Sequence, residues 1–162
     1  MKIIEYEEKY LDNVKNLLTE LEEYIVSIDQ DNLDIVHSDY YEKKAIIDLV
    51  EVSNNNGKCF LAIENNAVIG LIMGIIRKYD EYDYLDYKCP KQGIITELIV
   101  SKNVRSNGIG QLLIKRMEEY FKNLDCEYIL VDIFGYNDNA LKFYYKQGFH
   151  ARMLTTIKKI KD

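Results

Sequence analysis

A chain of 162 residues, 48% apolar and 30% charged, has the length of one domain and the composition of a folded globular protein. Its formal net charge of −6, with a basic cluster only at Lys158-Lys159-Ile160-Lys161, argues against a nucleic-acid partner. No window approaches the ~18 apolar residues of a membrane span, so no membrane partner is expected.

Ile3 to Tyr6 reads as a short strand. Tyr10 to Glu23 carries Val14, Leu17, Leu18 and Leu21 at helical spacing. Asp29 to Asp39 is a polar, acidic loop. Asp39 and Glu42 have the spacing of a capping box, opening a helix to about Asn54 with Ala45, Ile46, Leu49 and Val50 inward. Asn54-Asn55-Asn56-Gly57 closes it with turn chemistry. Cys59 to Ile63 and Val68 to Ile76 flank Glu64-Asn65-Asn66 as a hairpin. Tyr79 to Gln92 is a tyrosine-rich excursion, and Ile94 to Val100 a strand. An amphipathic helix follows, with Ile109, Leu112, Leu113, Met117, Tyr120, Phe121 and Leu124 on one side. Tyr128 to Phe134 is a buried strand, Asn139 to Gln147 a short helix closed by Gly148, and Phe149 to Ile160 a last strand. The mixed order gives an α/β or α+β sandwich around one sheet.

Acids begin at Glu5, too early for a secretory leader. Cys59, Cys89 and Cys126 form no C-x-x-C pair, which suits neither a disulfide framework nor structural zinc. A cytoplasmic location without a metal is therefore expected. His37 and His150 lie far apart, with no Ser or Cys at a triad-like position, and read as surface or turn residues.

The most informative stretch is Arg105-Ser106-Asn107-Gly108-Ile109-Gly110, between a strand and a helix. A glycine turn opening into a helix presents unpaired N–H groups and the positive end of the helix dipole, a site for phosphate or pyrophosphate. Gly108 and Gly110 admit close approach of the ligand, and Arg105 stands at the rim for a charge-assisted bond. A P-loop would place Lys and Ser or Thr after the last glycine, where Gln111 and Leu112 stand. A dinucleotide fingerprint would place a third glycine at Leu113, which leaves Asp132 a poor ribose-binding acid.

Further along, Asn137, Ala140, Tyr144, Gly148 and Phe149 follow the pattern Asn-x-x-Ala-x-x-x-Tyr-x-x-x-Gly-Phe. Together with residues 105 to 110, which match Arg/Gln-x-x-Gly-x-Gly/Ala, they resemble the GNAT superfamily of acyl-CoA-dependent N-acetyltransferases over nearly the whole chain. The resemblance implies a single domain over residues 1–162, with one mixed, partly splayed sheet of about six or seven strands flanked by about four helices. It implies that the pyrophosphate of acetyl-CoA lies on the N–H groups of Asn107 to Gly110, with Arg105 and Ser106 beside it. The pantetheine arm would run along Leu98-Ile99-Val100, where the strands Ile94 to Val100 and Tyr128 to Phe134 part. A backbone N–H near Ile99 or Val100 would polarise the thioester as an oxyanion hole.

A primary amine of pKa about 10.4 is only about 1 part in 2,500 neutral at pH 7, equivalent to roughly 4.6 kcal/mol, so a base is useful. Glu97 is the first candidate, at a position where family members carry an acidic base, and Asp132 is the second. Tyr144 is implied as the acid that protonates the departing thiolate. Asn137 bonds the pantetheine or caps the short helix.

Asp80, Glu81, Asp83 and Asp86, interleaved with Tyr79, Tyr82, Tyr84 and Tyr87, and the loop of Asp29, Asp31 and Asp34, suit a cationic amine. A small polyamine- or aminoglycoside-like acceptor is expected. Peptide N-termini or lysines remain as alternatives, as does a non-catalytic acyl-CoA-binding module. Met153 to Ile160 could serve a homodimer.

Overall fold

The structure, a computed structural model, describes residues 1–105 and 107–161. The chain divides into two compact units, Met1–Asp132 and Ile133–Asp162. The first holds β1 (Lys2–Glu5), α1 (Leu11–Ile28), α2 (Tyr40–Asn54), β2 (Lys58–Glu64), β3 (Ala67–Ile76), the one-turn α3 (Asp83–Asp86), β4 (Gln92–Val100), α4 (Ile109–Asn123) and β5 (Tyr128–Val131). The second holds α5 (Asp138–Lys146).

The strands form one sheet in the order β1-β2-β3-β4-β5, antiparallel except for the parallel β4–β5 pair. Asn65 and Asn66 both adopt positive φ, the left-handed pair that a tight hairpin between β2 and β3 needs. Side chains alternate across the sheet. Cys59, Leu61, Ile63, Leu71, Met73 and Ile99 pack with Val14, Leu17 and Leu18 of α1 and Ala45 and Val52 of α2. On α4, Leu113, Met117 and Phe121 meet the backbone of Gly70, Gly74 and Gly93. A Cβ on Gly93 would lie 2.5 Å from the Phe121 ring, so the helix sits this close only because glycine stands there.

Several expectations need correction. Ile46 and Val50 are 48% and 52% exposed. α2 instead turns Ala45, Asp48 and Val52 inward, because Asp48 is drawn into an ion-pair cluster under the sheet. The capping box does not form: Asp39 bonds Lys43 and Glu42 bonds Lys15. On α4, Ile114 is buried in place of Leu112. β5 ends at Val131 rather than Phe134, and Tyr128 is exposed.

Within the second unit, Asn137 caps α5 by accepting from the Ala140 N–H at 3.1 Å, and Gly148 takes φ +88° beyond its end. The strand expected over Phe149 to Ile160 is absent among the described residues, and Met153, Leu154, Ile157 and Ile160 are exposed. Adjacent Met153-Leu154 and Lys158-Lys159 break the alternation a half-buried strand requires, and no strand pairs with the segment. Among the described residues the sheet accordingly has five strands rather than six or seven, with five helices if the single turn of α3 is counted.

Candidate functional site

The site follows from one irregularity in β4. Met73 of β3 faces Glu97, and Gly74 faces Ile95, so Thr96 is an extra residue, a β-bulge. Parallel pairing with β5 runs from Gln92↔Tyr128 to Ile95↔Val131 and stops there. Beyond the bulge, β3 is the strand that pairs with β4 among the described residues. Ser101 donates its N–H to Ile69 O on the β3 side at 2.9 Å. Because N–H groups alternate along a strand, those of Val100 and Leu98 point the other way, into the opening left by β5. Thr96 keeps its Oγ1 buried with no hydrogen-bond partner among the described residues. That arrangement costs ~1–3 kcal/mol and marks the start of the open half.

The open strand leads into a 3-10 turn, Lys102–Val104, and then to Gly108, which holds φ +75° as the N-cap of α4. The first intrahelical bond recorded there is Leu112 N–H to Gly108 O, at 3.1 Å. Among the described residues no side chain caps this helix, and no acid stands in its first turn. The N–H groups preceding Leu112 thus lack an intrahelical acceptor and keep the positive end of the dipole open to an anion. Ile109 is buried and anchors the start of the helix, while Asn107 and Gly108 are exposed. Ser106 lies outside the described residues.

Arg105 is already engaged. Its Nε donates to Val100 O at 2.9 Å, its Nη2 lies 3.4 Å from Glu20 Oε1, and its guanidinium sits 5.6 Å from the Tyr24 ring centre. Glu20 also accepts from Lys102 N at 2.7 Å. Arg105 and Glu20 therefore staple the strand-to-helix turn to α1. Glu20 had no sequence signal, since on its own it reads as a polar position of an amphipathic helix.

Glu97 follows the bulge directly and faces α2. Lys44 Nζ reaches Glu97 Oε1 at 2.8 Å and both oxygens of Asp48 at 2.6 Å. The side chains of Asp48, Glu97 and Lys44 are 9%, 18% and 30% exposed. Burial pushes the Glu97 carboxyl above its ordinary range; Lys44 pulls it back, while Asp48 and Glu22 add to the rise. Burial also works against the charge on Lys44, but Glu97 and Asp48 outweigh it and hold the ammonium above its usual range. Tyr40 joins the group, its hydroxyl 3.4 Å from Glu22 Oε2 and pushed upward by burial and then by Glu22, Glu97 and Asp48. The i,i+4 pair Lys44–Asp48 reads from sequence as a surface helix pair; only the tertiary fold brings it to Glu97. Asp132 stands one residue past β5 and is exposed.

The tyrosine-rich excursion turns partly on itself. Arg77 lies 4.7 and 5.6 Å from the ring centres of Tyr79 and Tyr87 and pairs with Asp83 at 3.2 Å. These groups have a cation from their own chain; Glu81, Tyr82, Tyr84 and Asp86 are exposed. In the α1–α2 loop, Asp29 accepts from the N–H groups of Asp31, Leu33 and Asp34. Those bonds, that of Asp34 foremost, hold its carboxyl below the usual range and make it an organiser of the loop.

In the second unit Tyr144 is 6% exposed, edge-on to Phe143 at 5.4 Å and Phe149 at 5.3 Å. Among the described residues no cluster of His, Cys, Asp or Glu is arranged to hold a metal, and no helix is long and apolar enough to cross a membrane.

A mixed sheet opened beside a bulge thus carries the glycine turn and the start of α4 at the end of its open strand. The chain belongs to the acetyltransferase (GNAT) family, whose model matches residues 15–149. It is 34% identical over 98 residues to the uncharacterised N-acetyltransferase MJ1530 of Methanocaldococcus jannaschii. That match covers 59% of this chain and 55% of the relative, so the chain spans about half the relative's length. A mutant of the BH1408 protein from Bacillus halodurans matches with a TM-score of 0.79 at 19% identity, over 99% of this chain and 100% of the other. The aminoglycoside N-acetyltransferase AAC(6')-Iy, in complex with CoA, matches with a TM-score of 0.71 at 16% identity, over 99% of this chain and 95% of the other. At such identities the likeness is one of fold.

Proposed function

We propose that this chain transfers an acetyl group from acetyl-CoA directly to a primary amine of a small, polyamine- or aminoglycoside-like molecule. The observation that carries this reading is the run of unsatisfied backbone along the open half of β4, continuous with the turn at Gly108 and the start of α4. Its features fit the donor: N–H groups for a diphosphate, an open strand edge for a pantetheine amide, and an exposed glycine whose Cβ position is clear for 4 Å.

Acetyl-CoA supplies an acyl carbon activated as a thioester. Asn107 to Gly110 hold the diphosphate, and Arg105 fixes the turn that presents them. Leu98 and Val100 bond the pantetheine arm, and the Val100 N–H, rather than that of Ile99, donates to the oxygen on which charge develops. Glu97 takes a proton from the acceptor ammonium, directly or through water, and leaves a neutral nucleophile. Tyr144 returns a proton to the sulfur, and Asn137 holds the start of the helix that carries it. No thiol is primed as an intermediate acyl carrier. Burial lifts Cys59 to about 12 and raises Cys89 and Cys126 as well.

The acidic cluster around Glu97 and the exposed acids of the 79–92 excursion favour a cationic acceptor. The fold shared with an aminoglycoside N-acetyltransferase points the same way. Purified protein should consume acetyl-CoA with polyamines or aminoglycosides faster than with neutral amines or basic peptides. Equal rates would remove the electrostatic preference, and binding of CoA with no turnover on any amine would make the chain a binding module. Glu97→Gln should lower kcat about 10²- to 10⁴-fold with CoA affinity retained. Parental rates from about pH 6 to about pH 9 in that variant would show that Glu97 is not the base.

A further inference from the structure

Burial works against the charged form of Glu97, the form that can act as a base. The structure places one cation against it, Lys44, and that cation is held on its far side by both oxygens of Asp48. We propose that Lys44, clamped by Asp48, is the positioning residue of Glu97, supplying the counter-charge that sets this carboxylate's proton affinity and the bond that fixes its aim. Lys44 bears on turnover only if Glu97 is the base, as proposed above.

The geometry explains why two acids share one lysine. When Glu97 accepts a proton, its charge falls to zero and its hold on Lys44 weakens. The two bonds from Asp48 keep the ammonium in place, so the counter-charge is still there when the proton leaves for solvent. The groups facing Glu97 are Lys44 and Asp48 of α2 and Glu22 of α1, with Tyr40 of α2 alongside. Only Lys44 among them is positive. The helix spacing of Lys44 and Asp48 presents them as one unit beneath the strand.

The two partners act on Glu97 with opposite sign. Removing Lys44 leaves burial, Asp48 and Glu22 unopposed, so Glu97 holds its proton to higher pH. Removing the charge of Asp48 deletes a repulsion and leaves Lys44 to Glu97 alone, so Glu97 loses its proton at lower pH.

The test is a carbon-13 NMR titration of glutamate-labelled protein, with the Glu97 resonance assigned by its loss in Glu97→Gln. It is run beside the pH dependence of kcat/KM. In Lys44→Met the Glu97 midpoint should rise by about 1 to 3 pH units, the range expected for losing an adjacent opposite charge. The acid limb of kcat/KM should rise with it. Asp48→Asn should move both downward, and Lys44→Arg should restore the parental midpoint. A Glu97 midpoint unmoved in Lys44→Met, or moved in the same direction by both variants, would overturn the proposal. If Lys44→Met does not fold, Asp48→Asn carries the test alone, and a rise or no shift there overturns it. A midpoint that moves as stated while kcat/KM does not follow supports the role of Lys44 as counter-charge. That outcome overturns instead the assignment of Glu97 as base.

Discussion

The two halves of β4 differ in one respect that organises the molecule. From Gly93 to Ile95 the strand is paired on both sides, by β3 and β5, and Gly93 admits the Phe121 ring of α4. From Glu97 to Val100 it is paired on one side only, and the carboxylate cluster, the open amides and the glycine turn all belong to that half. One extra residue, Thr96, separates a half that builds the core from a half whose backbone is left for a ligand. Satisfying every hydrogen bond would strengthen the sheet and close the site.

The comparison can be broken first from the paired side. Phe121→Ala empties a fully buried ring site and should cost about 3–5 kcal/mol of stability, read by chemical denaturation, while folded protein keeps its affinity for CoA. A variant that kept its stability but lost CoA binding would reverse the division of labour. On the open side, Gly108→Ala puts a side chain on a left-handed backbone, at ~1–2 kcal/mol. As the turn relaxes, its N–H groups leave their alignment, so calorimetry should show CoA binding about tenfold weaker with a small loss of stability. Unchanged affinity would place the diphosphate elsewhere. The smallest effect is expected in the second unit. Tyr144→Phe should slow kcat by roughly tenfold or less, because a thiol of pKa about 8.5 leaves with little help. An unchanged rate would reduce Tyr144 to the packing it shows with Phe143 and Phe149.

What could be read in advance was local. The hairpin about Asn65-Asn66, the strand before the glycine turn and the Asn137 cap are each set by neighbouring residues, and each stands where the sequence indicates. What could not be read was tertiary. Nothing in a strand pattern announces that Thr96 is supernumerary, because a bulge is defined by the partner strand. Asp48 resembles any i,i+4 partner of Lys44 until β4 passes over it, and its inward turn sends Ile46 and Val50 outward. Arg105 looks like a phosphate ligand by position, and its bond to Val100 O could not be read beside that role from the sequence. The segment after Gly148 shows apolar residues without their alternation; apolar content was there, and a partner strand was not.

The central claim is that backbone amides at the end of the open half, residues 107 to 110, receive the diphosphate of a thioester carrier. Parallel calorimetric titrations with coenzyme A and with pantetheine, which lacks the nucleotide and its phosphates, address it most directly. Strong binding of coenzyme A, much weaker binding of pantetheine, and loss of that difference in Gly108→Ala are the predicted results. Equal affinity for the two ligands, or no heat with coenzyme A, would contradict the account.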